Sequence, residues 1–160
     1  MPDIYVGYLV KPISVHIGYK ITHLARAAYI PLPNHERFWR LFVEPYETPP
    51  DIVLGAWCHL VCDHVYNAHT REYIKQVHVK PGEITRVGKQ GDFAAFGHTL
   101  PISRRVEVND ALLAQAHAFP QYAIFEEDVV AAVAAADAVV ADNQEHFLEE
   151  LPELVLLTPE

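Results

Sequence analysis

The twenty-two residues from Thr48 to His69 constrain this chain more than any other stretch, because they concentrate its apolar bulk and its candidate chemistry. Thr48-Pro49-Pro50-Asp51 has the form of a helix start: a hydroxyl can accept orphan backbone N–H groups, and proline in the first turn forfeits no hydrogen bond. Beyond it Ile52, Leu54, Trp57, Cys58, Leu60, Val61, Cys62 and Val65 leave almost no polar face, the pattern of a central helix covered on all sides. The polar members of such a helix need partners. His59 and Asp63 stand four apart and project from one face, roughly 6 Å apart at their bases. They form either a hydrogen-bonded pair or half of a metal site. His69 lies about 15 Å along the helix from His59, too far to share one ion with it, but Asp63 between them could bridge two.

With 160 residues, 51% hydrophobic and 21% charged, the chain is expected to form one soluble globular domain with a real core. No apolar run reaches the roughly 18 to 20 residues of a membrane span, and Met1-Pro2-Asp3 begins no basic signal region, so a cytoplasmic location is expected. The formal net charge of -9 repels phosphate backbones and anionic membranes and argues against nucleic acid as a partner. Bound divalent cations would invert that sign locally, which keeps a small-molecule or lipid phosphate ester among the expected ligands. The two cysteines, Cys58 and Cys62, are read as reduced, small core residues.

The expected fold is mainly α, a single-domain bundle over residues 1–160 of about five helices around the central one, with room for one short β-hairpin. Asp3 to Val10 reads as an extended lead-in. The apolar spacing predicts a helix over Ser14 to Ala28, stopped at Pro31, with His23 in its second half. Asn34 caps His35–Tyr46, whose aromatics are core anchors. Tyr73–Val79 and Ile84–Val87 flank Pro81-Gly82 and fit either a hairpin or a loop leading into a helix. Gly91–Gly97 suggests a short amphipathic turn plugging a groove. Asn109 caps Asp110–Phe119, and Glu126-Glu127-Asp128 start a long helix reaching about His146, where they favour its dipole. Asp142, His146 and Glu150 recur every four residues near its end.

Leu54-Gly55-x-x-x-His59-Leu60-x-x-Asp63 followed by His69 resembles the helix motif of the zinc-dependent phospholipase C and S1/P1 nuclease superfamily, most of all its small bacterial members. Thr22-His23-Leu24 is similar to that family's "THF" histidine, and His146-x-x-x-Glu150 has the form of its last ligand pair. The resemblance implies a zinc-dependent hydrolase of phosphate esters holding two or more ions, with His23, His59, Asp63, His69, His146 and Glu150 as ligands and Asp63 as the bridging catalytic carboxylate. It also implies a Pro-Asp pair after an N-terminal glycine, whereas Gly7-Tyr8-Leu9-Val10-Lys11-Pro12 contains none. The alternative is a non-catalytic binding or interaction protein with an incomplete metal site, homodimeric through its aromatic and alanine-rich helices. Under either reading a His–Asp pair on an apolar helix leaves hydrogen-bonding capacity to satisfy, so His23 is expected beside His59 and Asp63.

Overall fold

A computed structural model describes residues 2–80 and 82–154. The fold is mainly helical, and no strand occurs among the described residues. In order, the helices are α1 (Tyr19–Thr22), α2 (His35–Phe38) running on as a π-helical turn (Trp39–Val43), α3 (Asp51–Gln76), α4 (Glu83–Gly97), α5 (Asp110–His117) and α6 (Glu126–Glu145). No described helix is long and apolar enough to cross a membrane. The chain divides into two compact units, Met1–Glu72 with Glu107–Ala135, and Tyr73–Val106 with Ala136–Glu160.

The first unit holds the main core. Ile52, Val53, Ala56 and Leu60 recur at helical spacing along α3 and are buried against Phe38, Val43, Phe119, Ile124 and Val129. The edge-on contact of Phe38 with Phe42, ring centres 5.0 Å apart, adds an aromatic anchor. The expectation that α3 is covered on all sides is corrected here: Cys58 and Cys62 are exposed, and Val65 is 49% exposed. A helix apolar all round needs long neighbours on every side. Here α1 and α2 are single turns of four residues each.

The start of α3 is also satisfied differently from the sequence reading. Pro50 supplies the first carbonyl, accepting from Val53 and Leu54, and the Ile52 N–H donates to Gln115 Oε1 on α5 at 3.2 Å, so a long-range partner rather than Thr48 serves this donor. The local caps at Asn34 and Asn109 are as the sequence suggests, with Oδ1 accepting from Arg37 N–H at 3.0 Å and from Leu112 N–H at 2.9 Å. Asn109→Ala is expected to lower stability by about 1 kcal/mol, read as a shift in the urea midpoint at unchanged m value.

Two N-terminal expectations give way for one reason, the demand of Asp128. This carboxylate, in the first turn of α6, is buried, and it accepts from the Tyr5 hydroxyl at 2.7 Å, the Ser14 N–H at 2.8 Å and the Ser14 hydroxyl. It is therefore a structural anchor as well as a favourable charge at the helix dipole. With its N–H and hydroxyl committed to Asp128, Ser14 starts no helix, and the helix predicted over Ser14 to Ala28 shrinks to the single turn α1, ended by Leu24 at φ 50°. The expected extended lead-in is instead a turn, closed by Val6 N–H to Asp3 carbonyl at 3.1 Å, with Ile4, Tyr5 and Val6 buried. Gly7 leaves that turn at φ +80°, where a Cβ would sit 3.2 Å from Ile13 Cδ1.

In the second unit the candidate hairpin is replaced by helix. Tyr73–Gln76 is the last turn of α3, and residues 84–87 lie in α4. His78, left-handed at φ 54°, ends α3 with Val79 N–H bonded back to the Ile74 carbonyl at 3.2 Å, a C-terminal motif that outweighs the β-branched composition. Gly91–Gly97 forms the second half of α4 rather than a plug, and Phe93 and Phe96 are 48% and 47% exposed.

Candidate metal centre

One side of α3 in the first unit gathers four side chains from three segments. The Asp3–Val6 turn carries Asp3, the end of α1 presents His23, and α3 contributes His59 and Asp63 from successive turns. His23 Nε2 and His59 Nε2 are 3.2 Å apart. Asp3 reaches both imidazoles, Oδ1 at 3.5 Å from His23 Nε2 and Oδ2 at 3.3 Å from His59 Nε2. Asp63 Oδ2 lies 3.5 Å and 3.6 Å from the same two nitrogens. The expected proximity of His23 to His59 and Asp63, across 36 residues of sequence, is thus present in the fold.

Hydrogen bonds behind the cluster fix how these atoms face it. The Thr22 hydroxyl donates to the Tyr19 carbonyl at 3.3 Å, which leaves its oxygen to accept from His23 Nδ1 at 2.7 Å. With the hydroxyl so turned, the ring proton sits on Nδ1 and the lone pair on Nε2, the tautomer that a cation at Nε2 would select. His23 is fully buried and stacks on the Tyr19 ring at 3.6 Å between centres. The Tyr19 hydroxyl donates to Asp63 Oδ2 at 3.1 Å and accepts from Asn67 at 3.5 Å, while Asn67 also donates to the Pro31 carbonyl at 3.0 Å. Each of two donors is held by a partner that is itself held, the arrangement that stiffens metal ligands.

The charge states suit a cation. Burial lowers the His59 pKa and outweighs the attraction of Asp3 and Asp63, so the ring is neutral at neutral pH. Burial raises the Asp63 pKa, but the neighbouring His23 and His59 rings and the hydroxyl that Tyr19 donates more than offset it, and the net shift is downward. Burial and the Asp63 charge hold the Tyr19 phenol well above its ordinary value, so it remains a donor. The inward nitrogens of two imidazoles and the oxygens of two carboxylates bring several acceptors together here. A divalent ion satisfies all of them at once.

The spacing fits such an ion. Bonds of about 2.0–2.1 Å in tetrahedral geometry separate ligand atoms by about 3.3–3.4 Å; the two Nε2 atoms stand 3.2 Å apart, and each has an oxygen of Asp3 and one of Asp63 at 3.3 to 3.6 Å, Asp3 turning a different oxygen to each ring. Donor atoms of Asp3, His23 and His59 all lie within 4.8 Å of one another, and Asp63 flanks both imidazoles. The side chains of His59, Asp63 and Asp3 are 30%, 32% and 42% exposed, which leaves one approach open to solvent.

The remaining predicted ligands lie elsewhere. His69 is exposed and lines a separate shallow cleft of the first unit with Leu32, His64 and Arg71. Six residues beyond Asp63, it points about 120° away around α3. His146 and Glu150 belong to the second unit, and α6 ends at Glu145, so their four-residue spacing does not put them on one helical face. His146 Nδ1 instead pairs with Asp142 Oδ1 at 3.0 Å. Asp3 is the residue the sequence reading passed over.

Comparison with family models, curated proteins and solved structures finds no match to this chain.

Proposed function

We propose that this chain is a metal-dependent hydrolase of a phosphate ester, with one zinc-type divalent ion held by Asp3, His23, His59 and Asp63. The observation that carries the reading is the meeting of two imidazole Nε2 atoms and two carboxylates at 3.2–3.6 Å on an open face. Imidazole with carboxylate is a donor set suited to zinc and its neighbours. Such an ion, when bound, supplies Lewis acidity toward a phosphoryl oxygen and a water acidified toward neutral pH. Thr22 keeps the His23 lone pair on the inward nitrogen. Tyr19 holds one oxygen of Asp63 in place. Asp3 and Asp63 together balance a divalent charge, so an anionic ester meets a neutral centre despite the chain's net charge of -9.

The resemblance of residues 54–69 to the phospholipase C and S1/P1 nuclease motif supports the same chemistry. The test is hydrolysis of bis(4-nitrophenyl) phosphate by zinc-loaded protein, before and after chelation, in the parent and in Asp63→Asn. Turnover that disappears with chelator, returns with zinc and is lost together with the ion in Asp63→Asn is the expected result, because a neutral amide is a poor substitute for a ligating carboxylate. If Asp63 is only a structural partner of His59, the near-isosteric amide costs about 1–3 kcal/mol of stability and leaves metal content unchanged, which overturns the proposal.

A further inference from the structure

Within the second unit, His98, Asp142 and His146 form another cluster that the hydrolytic reading does not use. His98 follows the last turn of α4, and Asp142 and His146 sit one turn apart at the end of α6. His98 Nε2 is 3.0 Å from Asp142 Oδ2, and His146 Nδ1 is 3.0 Å from Asp142 Oδ1 and 3.1 Å from the Asp142 backbone carbonyl, so one carboxylate faces an imidazole with each oxygen. The two rings stand 5.8 Å apart between centres, and one donor atom from each of the three residues lies within 4.8 Å of the others. We infer that His98, Asp142 and His146 form a second, solvent-accessible site for an imidazole-preferring divalent cation such as zinc or nickel, which clamps the end of α4 to the end of α6.

Three independent features favour this occupant. The donor set of two imidazoles and a carboxylate suits zinc, nickel or copper, whereas calcium and magnesium prefer oxygen. The backbone is already built around the cluster: Leu148 N–H donates to the His98 carbonyl at 2.9 Å, and Asn143 Nδ2 donates to the Gly97 carbonyl, so the ligands meet without closing a gap. The local field also attracts a cation. Residues 136–154 of this unit contain six carboxylates and no lysine or arginine, and the last carbonyls of α6 add the negative end of its dipole. Asp142 and His146 are 60% and 57% exposed, so three protein ligands leave positions open to water and the ion exchanges freely.

Calorimetric titration of the full chain with zinc, and then with nickel, tests the assignment. Two binding events are expected, a tight one for the cluster of Asp3, His23, His59 and Asp63 and a weaker one for this cluster. His98→Gln and His146→Gln, on different elements so that a folding defect in one leaves the other readable, should each weaken only the second event by about tenfold or more. Asp63→Asn should weaken only the first, so failure of the hydrolytic reading and failure of this one are distinguishable. The inference is overturned if the parent shows no second event, or if that event persists unchanged in both histidine variants, which would leave the cluster as a hydrogen-bonded clasp only.

Discussion

His23→Gln is expected to remove the tight divalent-cation site, weakening zinc binding by at least about a hundredfold, or ~3 kcal/mol, in a calorimetric titration. The expectation rests on position. His23 is the one fully buried member of the cluster, and its Nε2 lies within 3.5 Å of the facing atoms of Asp3, His59 and Asp63. Glutamine fills similar space and can keep a bond to Thr22, but it offers no imidazole lone pair at that point. Thr22→Val separates orientation from ligation. It leaves the imidazole and removes the acceptor that fixes its Nδ1 proton, so binding should fall by about 10- to 100-fold, with the ion still held. Equal losses in the two variants would mean that Thr22 supports the local fold rather than the tautomer of His23.

Asp128→Ala has the largest expected effect on stability, about 2 to 4 kcal/mol, against a total of roughly 5–15 kcal/mol for a domain. The substitution strands the buried Tyr5 hydroxyl and removes the acceptor of the Ser14 N–H and hydroxyl, which lie near the surface and can turn to water. The orphaned Tyr5 donor costs about 1–3 kcal/mol, and the lost Ser14 bonds add about 1 kcal/mol more because water can replace them in part. The pH dependence has a definite sign. Burial raises the Asp128 pKa, but the bonds from Ser14 and Tyr5 more than offset it and the net shift is downward. A depressed carboxyl binds its proton more readily in the unfolded chain. Its stabilisation is therefore complete above the unfolded value, about 4, and is lost as pH falls through the folded one. Asp128→Asn should unfold at a lower urea midpoint at neutral pH yet lose less stability than the parent below about pH 4. Parallel acid limbs in the two proteins would show that the carboxylate is not the anchor.

Features set by nearby residues were legible in the sequence. The all-helical class, the long helix around His59 and Asp63, and the caps at Asn34 and Asn109 each follow from local spacing or chemistry. The approach of His23 to that helix was legible for a different reason, the unmet hydrogen-bonding capacity of a His–Asp pair on an apolar helix. What escaped depends on partners far away in the chain. Asp128 takes Ser14 across 114 residues and so cancels a helix whose periodicity is sound, and Gln115 takes the first-turn donor of α3 across 63. Exposure of Cys58 and Cys62 was illegible because periodicity records which faces are apolar, not whether neighbours are long enough to cover them. Asp3 escaped because its role depends on a turn that folds a non-helical segment over α3, and nothing in its spacing from His23 indicates that.

The most direct test of the four-residue centre is X-ray absorption at the zinc edge on protein loaded with one equivalent of zinc and desalted. Ligation by Asp3, His23, His59 and Asp63 predicts a first shell of nitrogen and oxygen only, at about 2.0–2.1 Å, with the outer-shell signature of imidazole. The same spectrum from Asp3→Asn or His23→Gln should lose that signature or hold no zinc at all. A sulfur shell at about 2.3 Å, which would put the ion on the exposed pair Cys58 and Cys62, or a protein that retains no zinc after desalting, would contradict the account.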